Sequence, residues 1–164
     1  MSIQIKAKGL DELIKQVDNM KKQLPNQMEL FIQKLLESGI PVVDNYYMIS
    51  QGDSSPAHSS YVTVENLGSS VKGTLTVEGE DIAFVEFGAG IYFNHGTEHP
   101  QASEFGFGIG TYGQGKGMND YWYYYDSTGY AKRSYGTEMT MPVYRAGQQM
   151  IKDFDSIVKE VFGN

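Results

Sequence analysis

Apolar residues recur at three- and four-residue steps near the start of the chain. Leu10, Leu13, Ile14, Val17, Met20 and Leu24 share one face of a predicted amphipathic helix. Asp11 and Glu12 sit in its first turn, where the helix dipole favours acidic side chains. Pro25 predicts a break there or the first turn of a second helix. That second helix sets Met28, Phe31, Ile32, Leu35 and Leu36 on one face. Gly39 and Pro41 should kink or stop it, with Val42 to Ile49 adding a further turn or two. Gln51 to Ser60 is turn chemistry and predicts a loop.

The period then changes from 3.6 to 2. Tyr61 to Val64 alternates and is rich in strand formers. Val71 to Glu78 follows, with Val71, Leu75 and Val77 on one face and Lys72, Thr74 and Thr76 on the other. Gly79-Glu80 is a two-residue hairpin signal, and the apolar run Asp81 to Phe87 predicts a third strand. It opens at Gly88-Ala89-Gly90 into a Gly- and Tyr-rich excursion, His95 to Asn119, with no helical period. Asp120 to Asp126 predicts a fourth strand, and Tyr130 to Ser134 pairs back on it. Pro142 opens a last helix whose stripe is Val143, Met150, Ile151, Phe154, Ile157, Val158 and Phe162. The expectation is one α+β domain over residues 1–164. It has N-terminal amphipathic helices over 1–50 and a central antiparallel sheet over 61–135 with its long loop at 88–119. A C-terminal helix over 142–162 packs on that sheet.

Charge narrows the range of partners. The net charge is −7, unevenly placed. Residues 1–40 carry six basic and five acidic side chains, residues 41–140 four and twelve, and residues 141–164 three of each. An acidic sheet-and-loop region repels nucleic acid, which disfavours DNA binding by charge neutralisation. Without cysteine there is no disulfide or thiolate chemistry. No apolar run approaches the ~20 residues of a membrane span, and the first residues lack the apolar core of a signal peptide. The chain reads as a cytosolic product.

Several short motifs have tempting chemistry. Gly110-x4-Gly115-Lys116-Gly117 resembles a phosphate loop, but Gly117 stands where a Ser or Thr would hold magnesium. Gly108-x-Gly110-x-x-Gly113 lacks the strand–helix context of a dinucleotide site. His95-Gly96-Thr97-Glu98-His99 spaces two imidazoles as zinc ligands on a helix are spaced, with His58 and Glu104 as further candidates. Gly96 and Pro100 oppose that helix, so these histidines are expected on a surface loop. No G-x-S-x-G elbow is present, and Glu78, Glu80 and Asp81 read as exposed turn carboxylates. No catalytic residue, cofactor or metal is expected.

The run Tyr121-Trp122-Tyr123-Tyr124-Tyr125 places aromatic rings with polar tips on both faces of a strand. It suits a sheet covered by helices on one side and by a partner on the other, or a two-sided core strand. An aromatic platform for sugars is a further option, with Glu98, Glu104 and Asp120 as nearby carboxylates. Phe105, Phe107, Tyr112, Tyr121, Trp122 and Tyr123 are the expected subunit or partner interface.

Two segments carry a resemblance to a known family. Val85-Glu86-Phe87-Gly88-Ala89 matches a "v-E-f-G-t" turn, and Pro142-Val143-Tyr144-Arg145-Ala146 matches a "P-x-y-x-A" helix start. With the helical N-terminus, the V-x-G-x-L-x-V strand and the G-Y-x-x-R hairpin, the chain resembles the tail-component, or tail-completion, family of long-tailed bacteriophages. The resemblance runs from about Gly9 to Phe162. Gly52-Asp53-Ser54-Ser55-Pro56-Ala57-His58 departs from the Pro-x-x-Thr-Gly-x-Leu stretch that many members carry there. The resemblance implies a non-enzymatic virion structural protein of the head–tail connector, or neck. It implies a six- or twelve-fold ring, made in the host cytoplasm. The implied neighbours are head-closure or adaptor and tail-terminator or tail-tube proteins. DNA would pass through without tight binding, and no membrane would be involved. The alternatives are a carbohydrate-binding module using Tyr121 to Tyr125 and a metal-dependent hydrolase using His95, Glu98 and His99.

Overall fold

The 3.6-residue period of the N-terminal third becomes a single 28-residue helix, α1 (Leu10–Glu37), in the computed structural model of the chain. The structure describes residues 10–51, 58–79, 81–90, 99–107, 120–125 and 128–163. α1 runs through Pro25 without the expected break. Pro25 lies in an exposed stretch, where water can hydrate the Lys21 carbonyl that the proline ring leaves without a donor. The chain turns at Ser38-Gly39, and α2 (Ile40–Gln51) follows with Pro41 in its first turn, where the missing N–H costs nothing.

Strands β1 (His58–Asn66) and β2 (Val71–Gly79) form an antiparallel hairpin in which Asn66 faces Val71 and His58 faces Gly79. Inward and outward positions alternate along β1, as a half-buried sheet requires, and the inner face lies against α1. At the tip, Gly68 takes a φ of 82° and donates its N–H to Asn66 Oδ1 at 2.8 Å. β1 begins three residues before the predicted strand, inside the expected loop. His58 Nε2 meets Asp44 Oδ1 at 2.9 Å, and the Ser60 hydroxyl donates to the same oxygen at 3.1 Å. The His58 ring also lies 4.2 Å from that of Tyr47. These polar residues read as loop alone and become strand because α2 supplies their partners.

Gly73 sets how closely α1 approaches the hairpin. A Cβ there would overlap Ile32 Cγ2 and Leu36 Cδ1. Gly73→Ala should therefore cost about 1–3 kcal/mol by overpacking, measured as a drop in the urea midpoint at constant m. An unchanged midpoint would mean the helix can slide away from the strand.

The Tyr61 hydroxyl donates to Glu78 Oε1 at 2.9 Å on the hairpin's outer face. That hydrogen bond, before desolvation and charge repulsion, raises the tyrosine pKa above its ordinary 10.0. The bond's contribution is complete below the unfolded-state pKa and is lost as pH rises through the raised folded one. Absorbance titration near 295 nm should find one tyrosine ionising late, and Tyr61→Phe should remove it. Identical curves for both chains would place that proton elsewhere.

The run after β2 is a correction. Residues 82–87 form a helix, α3 (Ile82–Phe87), and no third strand. Val85 and Glu86, adjacent in sequence, are both buried. A strand would send them to opposite faces, whereas a helix turns them by only ~100°. Gly88, with a φ of 77°, ends α3 by donating its N–H to the Phe84 carbonyl at 2.7 Å. The Gly79-Glu80 hairpin is not made: the chain leaves β2 for α3, and Glu80 itself lies outside the described residues.

β3 (Trp122–Tyr125) and β4 (Ala131–Ser134) pair antiparallel as predicted, Trp122 facing Ser134 and Tyr125 facing Ala131. They form a second two-stranded sheet, so among the described residues two separate ribbons replace the single central sheet. A bridge between Ala89 and Thr137 ties the end of α3 to the chain leaving β4. α4 (Pro142–Phe162) starts at the predicted proline and packs chiefly on α1 and α2, where a helix on the sheet was expected. The class is α+β. Phe31, Val43, Tyr47, Val85, Ala146 and Ile157 are its central buried residues.

Candidate functional site

The N-terminus of α4 lacks a cap of its own. Met141 at the cap position adopts a left-handed φ of 54° and offers no side-chain hydrogen bond. The Thr140 hydroxyl is turned to the Tyr46 carbonyl at 2.8 Å. The cap comes instead from α3. Glu86 Oε2 accepts the Val143 N–H at 2.7 Å and Glu86 Oε1 the Tyr144 N–H at 2.9 Å. A carboxylate at a helix start satisfies orphan donors and meets the positive end of the dipole. The Thr140 N–H adds a bond to the Val85 carbonyl at 3.0 Å. The two segments that carry the family resemblance thus touch, and Glu86 is their joint.

His99 completes this joint. Its Nδ1 accepts the Gln101 N–H at 3.0 Å, which assigns the ring proton to Nε2. Nε2 lies 2.9 Å from Glu86 Oε1. His99 is only 3% exposed, correcting its expected place on a surface loop. The Phe87 and Tyr144 rings meet it in T-shaped contacts at centroid distances of 4.6 and 5.3 Å. Both its nitrogens are committed, leaving no lone pair for a metal in this arrangement.

Above the Glu86–His99 pair lies an open cleft of about 600 Å³ between α3, the turn after His99 and the first half of α4. Ile82, Phe87, Phe105, Val143, Tyr144 and Ile151 give it an apolar wall. Phe107 stacks on Phe87 at 4.4 Å and 9°, and Phe105 lies 5.9 Å from the same ring. Phe105 is 57% exposed at the rim. These two expected interface residues are therefore brought together, on a ring that sequence reasoning did not select.

The other expected interface residues divide. Tyr121 and Tyr123 meet edge to face at 5.7 Å on the β3–β4 ribbon. Arg133 packs its guanidinium over Tyr121 at 4.0 Å and over Tyr135 at 5.0 Å. Tyr123, Tyr124, Tyr125 and Tyr130 are all exposed, which departs from the two-sided core strand. Trp122 lies on β3. Tyr112, both glycine motifs, His95 and Glu98 lie outside the described residues. Glu104 is exposed, and His58 is taken up by Asp44. Among the described residues, no group of three or more His, Asp or Glu could hold a metal ion. Nor is any described helix long and apolar enough to cross a membrane.

Glu86 is the residue that sequence reasoning missed as a structural centre. Two signals pointed to it. It is the one charge inside the run Ile82–Phe87, and the helix opening at Pro142 has no Ser, Thr, Asp or Asn in the cap position. Comparison with known protein families, curated proteins and solved structures finds no match to this chain.

Proposed function

We propose that this chain is a structural subunit acting through protein–protein contacts, in the setting its resemblance implies. That setting is the neck of a long-tailed bacteriophage, with the chain as a tail-completion, head–tail joining protein in a ring. The observation that carries the reading is the exposed aromatic surface. Phe105 stands at the rim of the apolar cleft, and a ribbon of two four-residue strands shows Tyr123, Tyr125 and Tyr130 at 63, 77 and 73% exposure. A two-stranded ribbon is marginal by itself in water, and exposed aromatic patches of this kind mark interfaces. The contact between the two resemblance segments gives their pairing a physical reason. The acidity of residues 41–140 suits a channel that lets DNA pass without gripping it.

The test is the mass of the purified protein by light scattering across a concentration series, alone and mixed with head-closure and tail-tube proteins. A closed ring in either setting is the expected result. Tyr125→Ser, which removes the most exposed ring of the ribbon at 77% exposure, should reduce assembly without lowering the denaturation midpoint. A monomer that joins neither partner would overturn the reading. The same exposed tyrosines favour a second reading, carbohydrate binding by stacking on the ribbon. Quenching of the sole tryptophan, Trp122, by oligosaccharides would move the weight there.

A further inference from the structure

The first half of α1 has no cover among the described residues. Glu12 and every residue from Ile14 to Asn26 are exposed, and burial begins only at Gln27. The stretch from Glu12 to Asn26 is an arm about 22 Å long, at ~1.5 Å per residue. Its apolar side is bare, with Ile14 51%, Val17 61%, Met20 69% and Leu24 51% exposed. A helix of this length is marginal alone in water and gains its stability from packing its apolar face. The arm therefore needs a partner.

The spacing identifies the kind of partner. Leu10, Leu13, Val17, Met20 and Leu24 follow one another at steps of three, four, three and four. That is a 3.5-residue period, the a and d positions of a left-handed coiled coil. Ile14 flanks the seam and widens it in the first turn only, so Val17, Met20 and Leu24 keep the narrow seam alone. Such a seam takes another helix.

Charge points to a second copy. Between Leu10 and Leu24, Asp11, Glu12 and Asp18 are balanced by Lys15, Lys21 and Lys22. Two copies of this segment meet without net repulsion, although the whole chain carries −7. The positions flanking the seam are Ile14, Gln16, Lys21 and Gln23. In a parallel pair Gln16 faces Lys21 of the other copy, so no like charges oppose across it. A neutral arm also offers nothing by which a strongly charged foreign partner would be selected.

We propose that the exposed first half of α1 pairs with the same segment of a second copy through a coiled-coil seam centred on Val17 and Met20. The inference rests on the arm alone and not on the neck assignment. Its test uses the full chain in sedimentation and light scattering across concentration. The wild-type chain should self-associate, and Val17→Asp with Met20→Asp should weaken that association at least ~10-fold, the equivalent of one tenfold step in Kd. The denaturation midpoint of the dissociated chain should stay unchanged. A second measurement holds if that variant misfolds. The chain has no cysteine, so oxidised Val17→Cys should be trapped as a disulfide dimer, while outward-facing Lys15→Cys should not. A wild-type monomer at all concentrations, or equal trapping of the two cysteine variants, overturns the seam. A ring unaffected by the Asp variant overturns it while leaving the neck reading standing. A dimer that never closes into a ring supports the seam and counts against the neck.

Discussion

Replacing Glu86 by alanine lowers the stability of the fold by at least about 3 kcal/mol, because three buried donors lose the one carboxylate that accepts from them. Glu86 is 6% exposed and accepts three hydrogen bonds, from Val143 N–H, Tyr144 N–H and His99. Alanine leaves two helix donors and an imidazole N–H facing a space that water enters only in part. Each unsatisfied buried group costs about 1–3 kcal/mol. Glu86→Gln should lose less, because the amide oxygen still accepts while its NH2 confronts a donor. His99→Ala in the Glu86→Ala background should add little, with a coupling of about 0.5–3 kcal/mol between the two sites. Thermal and urea denaturation, followed by circular dichroism, measure wild type, Glu86→Ala, Glu86→Gln, His99→Ala and the double variant. A Glu86→Ala chain within ~0.5 kcal/mol of wild type, the usual range for surface changes, would show that α4 does not depend on the carboxylate.

Phe31→Ala is the second large loss, also about 3–5 kcal/mol. Phe31 is the point where α1, exposed up to Asn26, becomes part of the body, and it is 6% exposed. The rings of Phe154 and Phe162 on α4 meet it at 5.4 Å edge to face and 5.8 Å tilted. Truncation removes the buried ring and both aromatic contacts, leaving a cavity between two long helices that cannot easily collapse. At ~2–4 °C per kcal/mol for a chain of this size, the melting temperature should fall by roughly 6–20 °C. Leu30→Ala, one residue earlier and 45% exposed, is the control and should cost far less. Equal losses for the two would mean that the Phe31 contact does not hold α1 to α4.

Phe84 shows how such expectations shift with fold. Read as part of a central strand, its ring would be a core residue. On α3 it is only half-buried, and the deep positions pass to its neighbours Val85 and Glu86. The candidate site was legible in part for the same reason. Phe105 and Phe107 stand out from the composition of their loop, and the structure brings both rings against Phe87. Their support, Phe87, was hidden in a run assigned to a strand. His99 looked like a loop histidine because its partner stands 13 residues earlier in the chain.

The sequence by itself determined the periods of the two long helices and one strand pairing. The 3.6-residue stripes of α1 and α4 repeat over many turns, although they do not show that α1 continues through Pro25, and the turn residues Ser127-Thr128-Gly129 set the pairing of β3 with β4. Tertiary structure decided the rest. Six residues from Ile82 to Phe87 satisfy a strand and a helix almost equally, so burial of both Val85 and Glu86 settled the choice. His58 and Ser60 became strand because Asp44 waited on α2. The cap of α4 lies 57 residues from Val143, and a hydrogen bond over that separation leaves no local pattern for a sequence to display.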